Sequence, residues 1–124
     1  MDTILVVEDE QLLLEMIAEG LRTRGYEVLL ARDGHEAVRI CAKRHKHINL
    51  LLCDVMMPGL RSRELIRIAV EMYPSIFVLL MTGYTEEDLF PNGNAEAFHF
   101  IQKPFTSSEL AVRIQAILGG KCAW

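Results

Sequence analysis

Short apolar runs punctuate the chain at 4–7, 28–31, 50–53 and 76–81, and none alternates polar with apolar positions. A half-exposed strand alternates; a run that is apolar throughout is buried on both faces, as in a parallel sheet covered by helices. A weaker run at 98–101 predicts a fifth strand. Between the runs, apolar residues recur at spacings of three and four, the period of a helix with one buried face. Leu12, Leu13, Met16, Ile17 and Leu21 predict one helix, which Gly25 stops. Ala37, Val38, Ile40 and Cys41 predict a second, after an Asp33-Gly34 turn. Leu65, Ile66, Ile68, Ala69 and Met72 predict another, closed by Pro74.

The last helix is predicted over 107–118, with Thr106 or Ser107 as N-cap and Glu109 in its first turn, where the helix dipole favours an acid. Its apolar stripe includes Leu110, Ile114, Ile117 and Leu118. In 85–97, Glu86-Glu87-Asp88 opens like a helix, but Pro91 and Asn92-Gly93 interrupt it, so the fourth of five helices is expected to be short or distorted. Strands alternating with helices predict an α/β domain with a doubly wound parallel sheet. The domain is expected over 1–119, with 120–124 as a C-terminal tail.

The 124 residues suit one domain, long enough to build a core without disulfide or metal staples. A net charge of -4 argues against a nucleic-acid-binding face, and no run is long enough for a signal peptide or membrane span. Cys41, Cys53 and Cys122 are odd in number and lack paired spacing, which speaks for a reducing compartment and a cytoplasmic protein.

The chemistry gathers where strands end. In an open parallel sheet, ligands bind outside the carboxyl ends of the strands. The first predicted strand runs into Glu8-Asp9-Glu10 and the third into Asp54. Carboxylates brought together repel unless a cation sits among them, and an all-oxygen set suits Mg²⁺. Taken singly, Glu8-Asp9-Glu10 reads equally well as a capped helix start, and Asp54 as a turn residue before Met57-Pro58-Gly59. Thr82 follows the fourth strand and Lys103 the fifth. Thr82 alone reads as a helix cap and Lys103 alone as a surface lysine. Together, a carboxylate nucleophile, a cation, a hydroxyl and a lysine suit phosphoryl transfer, in which positioning and charge stabilisation do most of the catalysis.

These residues also carry a resemblance. Ile4-Leu5-Val6-Val7-Glu8-Asp9-Glu10, Asp54-Val55-Met56-Met57-Pro58-Gly59, Met81-Thr82-Gly83-Tyr84 and Lys103-Pro104-Phe105, in this order, resemble the receiver domains of two-component response regulators over about residues 3–119. The resemblance implies five parallel strands in the order 2-1-3-4-5. It implies that Asp54 accepts a phosphoryl group from a sensor histidine kinase or histidine phosphotransfer protein. It further implies that Asp9 ligates Mg²⁺, with Glu8 nearby or acting through water, and that the Met56 backbone carbonyl is another ligand. Thr82 and Lys103 would contact the phosphoryl oxygens, Phe100 would be the aromatic switch beside Thr82, and the Lys103-Pro104 peptide would be cis. Such a protein is a signalling phosphoacceptor, not an enzyme with an external substrate. The wording around Thr82 and Lys103 is similar to receivers attached to hybrid histidine kinases.

Two departures stand out: Arg61-Ser62 where the family often has Asp-Gly, and the interruption at 91–93. A degenerate receiver that binds partners without phosphorylation is the alternative; the set Asp9, Asp54, Thr82 and Lys103 argues against it. A haloacid-dehalogenase-type phosphatase would need a second acid at the position of Met56. A dinucleotide-binding turn would need glycines after the first strand, and they are absent. His45 and His47 read as part of a solvated loop more readily than as metal ligands.

Overall fold

The computed structural model describes residues 1–43, 47–55, 62–83 and 99–120. In chain order these form β1 (Thr3–Val7), α1 (Gln11–Thr23), β2 (Glu27–Ala31), α2 (Gly34–Lys43), β3 (Leu50–Asp54), α3 (Ser62–Met72), β4 (Phe77–Thr82), β5 (His99–Gln102) and α4 (Ser107–Gly120). The strands pair in parallel in the order β2-β1-β3-β4-β5. The expected α/β architecture and strand order are therefore present. Residues 84–98, where the short or distorted helix is expected, lie outside the described residues, as do 56–61 and 121–124.

β1 and β2 each start one residue before their apolar runs, at Thr3 and Glu27, because these polar residues satisfy each other: the Thr3 hydroxyl donates to Glu27 Oε1 at 2.9 Å. Side chains then alternate between two cores. Ile4, Val6, Leu50, Leu52, Leu79 and Met81 face α1 and α4. Leu5, Val7, Leu51, Cys53 and Leu80 face α2 and α3. This sandwiching is why the strands read as unbroken apolar runs.

The helix faces differ in part from those predicted. α1 buries Leu14, Ile17, Ala18 and Leu21, an i, i+3, i+4, i+7 stripe, while Leu12 is 75% exposed. The consecutive leucines 12 to 14 fit several phases, and the small Ala18 is what lies against the sheet. In α3, Leu65, Ile66 and Ala69 are buried, but Met72 is exposed.

Helix ends follow local chemistry. Gly25, at φ +92°, closes α1: its N–H donates to Arg22 O at 3.0 Å and that of Tyr26 to Leu21 O at 3.2 Å. That pair of bonds is a Schellman motif, whose left-handed residue favours glycine. Thr106 caps α4 reciprocally: its hydroxyl accepts the Glu109 N–H and its own N–H donates to Glu109 Oε1, both at 3.0 Å. Asp33 caps α2 by accepting the Glu36 N–H at 2.8 Å.

Candidate functional site

β1 and β3 are neighbours whose register pairs Val7 with Cys53. With side chains alternating at a period of two, Ile4, Val6 and Glu8 follow one another on one face, as do Leu50, Leu52 and Asp54. Glu8 extends β1's ladder, its N–H donating to Ala31 O at 3.1 Å. The sheet thus delivers Glu8 and Asp54 side by side at its carboxyl edge, where both are buried, 1% and 7% exposed.

Lys103 reaches them from the far side of the sheet. Its backbone N–H donates to Thr82 O at 2.7 Å, just beyond the last residue of β5. Its ammonium donates to Asp54 Oδ2 at 2.5 Å and to Glu8 Oε1 at 2.8 Å. The other oxygen of Glu8 accepts the Glu10 N–H at 3.0 Å. Asp9 is exposed, yet one carboxylate oxygen each from Glu8, Asp9 and Asp54 fall within 4.8 Å of one another. The donors are all hard oxygens, which fits Mg²⁺.

The electrostatics show a site short of positive charge. Burial pushes the Glu8 carboxyl up; the hydrogen bonds from Lys103 and Glu10 pull it down and the Asp54 charge adds to the rise, leaving it raised. Burial alone would lower the Lys103 ammonium, but hydrogen bonds to Asp54 and Glu8 and their charges outweigh it, so its pKa is raised. One protonated lysine is shared between two buried acids. The Cys53 thiol registers the same field: burial first, then the charges of Asp54 and Glu8, push it up to about 12.

Thr82 is buried at the end of β4, one residue beyond Met81, the register partner of Asp54. It therefore stands between the strand ends that carry Asp54 and Lys103. Phe100 is half-buried against the α2/α3 core. The Lys103-Pro104 peptide is cis. Met56 lies outside the described residues, as do the loop with Arg61 and His45; His47 is exposed, with its ring edge-on to Tyr73. Sequence reasoning missed the direct Lys103–Glu8 bridge, because 95 positions separate the pair and no local pattern links them. It also missed the groove beside the site, about 540 Å³ in volume, lined by Glu10, Leu12, Leu13, Met16, Lys103, Pro104 and Phe105.

Comparison with known proteins places this geometry. The model of the response regulator receiver domain matches residues 4–115. The chain is a receiver domain of two-component signalling. The receiver is 32% identical over 117 residues to the sensor kinase CckA of Brucella abortus, covering 94% of this chain and 12% of that protein. It is 37% identical over 119 residues to the phosphate regulon transcriptional regulatory protein PhoB of Pseudomonas aeruginosa, covering 94% of this chain and 51% of that protein. Among solved structures, the receiver domain of the hybrid histidine kinase CckA superposes with a TM-score of 0.80 at 35% identity, covering 94% of this chain and 98% of that one. The receiver thus spans about half or less of these curated relatives. No helix among its described residues is long and apolar enough to cross a membrane.

Proposed function

We propose that Asp54 accepts a phosphoryl group from a phosphohistidine of a sensor kinase or phosphotransfer protein, and that this changes a partner-binding surface. The observation that carries this reading is the Lys103 ammonium bridging Asp54 and Glu8, with the Asp9 carboxylate alongside. An Asp54 oxygen would attack phosphorus; the P–N bond to histidine breaks, the imidazole leaves with the electron pair and takes up a proton, and an acyl phosphate forms. Lys103, already held at Asp54, would balance the charge that gathers on the phosphoryl oxygens, and the Thr82 hydroxyl would donate to one of them. Glu8, Asp9 and Asp54, with the Met56 carbonyl, would hold Mg²⁺, which supplies further positive charge to the transferring group. The protein then acts as a cytoplasmic phosphoacceptor and not as an enzyme with an external substrate.

The phosphoryl group adds about −1.5 to −2 charge and strong acceptor oxygens. Thr82 and Lys103 gain these partners only in the phosphorylated state, which biases β4, β5 and with them Phe100. The groove beside Lys103, with exposed Leu12 on its rim, offers apolar area to the phosphodonor protein.

Intact-mass measurement after incubation with acetyl phosphate tests the reading. Wild type gains one phosphoryl mass only with Mg²⁺, and Asp54→Ala gains none. Persistent labelling of Asp54→Ala would move the acceptor elsewhere; an unlabelled wild type would favour the phosphorylation-independent receiver.

A further inference from the structure

The two outer strands of the described sheet, β2 and β5, carry a common device that the phosphoacceptor reading does not use. Within a parallel strand, the N–H and C=O of one residue point to the same side, and successive residues alternate. In β2, Glu27 N–H donates to Asp2 O and Ala31 O accepts from Glu8, so the odd-numbered residues face β1 and Val28 faces outward. In β5, Lys103 N–H donates to Thr82 O, so odd positions face β4 and Phe100 faces outward. In each of these strands one outward carbonyl meets an arginine from an adjoining helix. Arg22 of α1 donates to Val28 O at 3.0 Å, and Arg113 of α4 donates to Phe100 O.

We propose that Arg22 and Arg113 are edge guards, each of whose guanidinium groups occupies one outward carbonyl, Val28 O on β2 and Phe100 O on β5, and so keeps a second copy of this chain from adding a strand there. An outer strand is a ready template for pairing, and a charge set along it is a recognised protection. A guanidinium suits the task because it stays charged at any physiological pH and offers several donors in a rigid fork. At β5 the guard has a second effect: it fastens the strand to α4 at Phe100, so an arriving strand has to displace Arg113 first.

Sedimentation velocity over a concentration series, paired with residue-resolved amide exchange, tests the proposal. Arg113→Met is expected to self-associate at concentrations at least about tenfold below wild type, with the Gln102 amide newly slowed in the associated form. Arg22→Met is expected to do the same with protection at Leu30. Arg113→Lys, which keeps a charged donor, is expected to match wild type. The proposal is overturned if Arg113→Met retains a native far-UV spectrum and associates as wild type does, or if the newly protected amides lie away from β5. Should Arg113→Met fail to fold, Arg113→Gln read against Arg113→Lys gives the same contrast.

Discussion

The starts of α1 and α4 both carry acids, and the two helices use them in opposite ways. At α4, Thr106 and Glu109 bond each other's backbone N–H groups, so the side chains are consumed locally in holding the first turn. At α1, the residue in the capping position is Glu10, which makes no side-chain cap, and the first turn holds no acid. Its acids face elsewhere. Glu8 turns back to Lys103 and Asp9 joins the carboxylate group. Glu8 keeps one oxygen local, accepting the Glu10 N–H, and gives the other to Lys103. Of the capped helix start that the sequence also allowed, the structure keeps the Glu8 bond to the Glu10 N–H, while Glu10 itself makes no side-chain cap.

The contrast is sharpest at Lys103. Lys103→Met removes the ammonium that two buried carboxylates share. Stranding a buried charge costs about 3–5 kcal/mol, and we expect about 2 kcal/mol here because the lysine is partly exposed and water can enter. Urea unfolding in metal-free buffer measures it, and millimolar Mg²⁺ should recover a large part of the loss. A variant as stable as wild type without metal would show that the bridge contributes nothing.

Next comes the capped helix. Thr106→Ala should cost about 1 kcal/mol through the lost cap and leave labelling of Asp54 by acetyl phosphate at the wild-type rate. A slowed rate would mean that the cap and the site are coupled, breaking the comparison. The smallest effect belongs to Glu10→Ala. With no cap to lose, its stability should stay within about 0.5 kcal/mol of wild type, because the bond to Glu8 comes from the backbone N–H, which alanine keeps.

How much of this was legible follows the range of each interaction. The first four strands were legible because burial between helices writes itself into four to six consecutive apolar letters. The cap at Thr106 was narrowed to two residues because its partner Glu109 is three positions away. The phase of α1 was not: Leu12, Leu13 and Leu14 are equally apolar, and only the sheet beneath selects Leu14 and leaves Leu12 in solvent. Each acid and Lys103 could be named from its place at a strand end. The sharing of one ammonium between Glu8 and Asp54 depends on strand order and pleat together, and no stretch of sequence contains both.

The long reach of Lys103 also has a meaning for how the protein is made. It meets partners 95 and 49 positions earlier in the chain. During synthesis, Glu8, Asp9 and Asp54 emerge from the ribosome long before the residue that balances them. A nascent chain that ends before β5 holds mutually repelling acids and lacks the lysine that bridges Glu8 and Asp54. The bridge between Glu8, Asp54 and Lys103 therefore forms late, when the last strand docks.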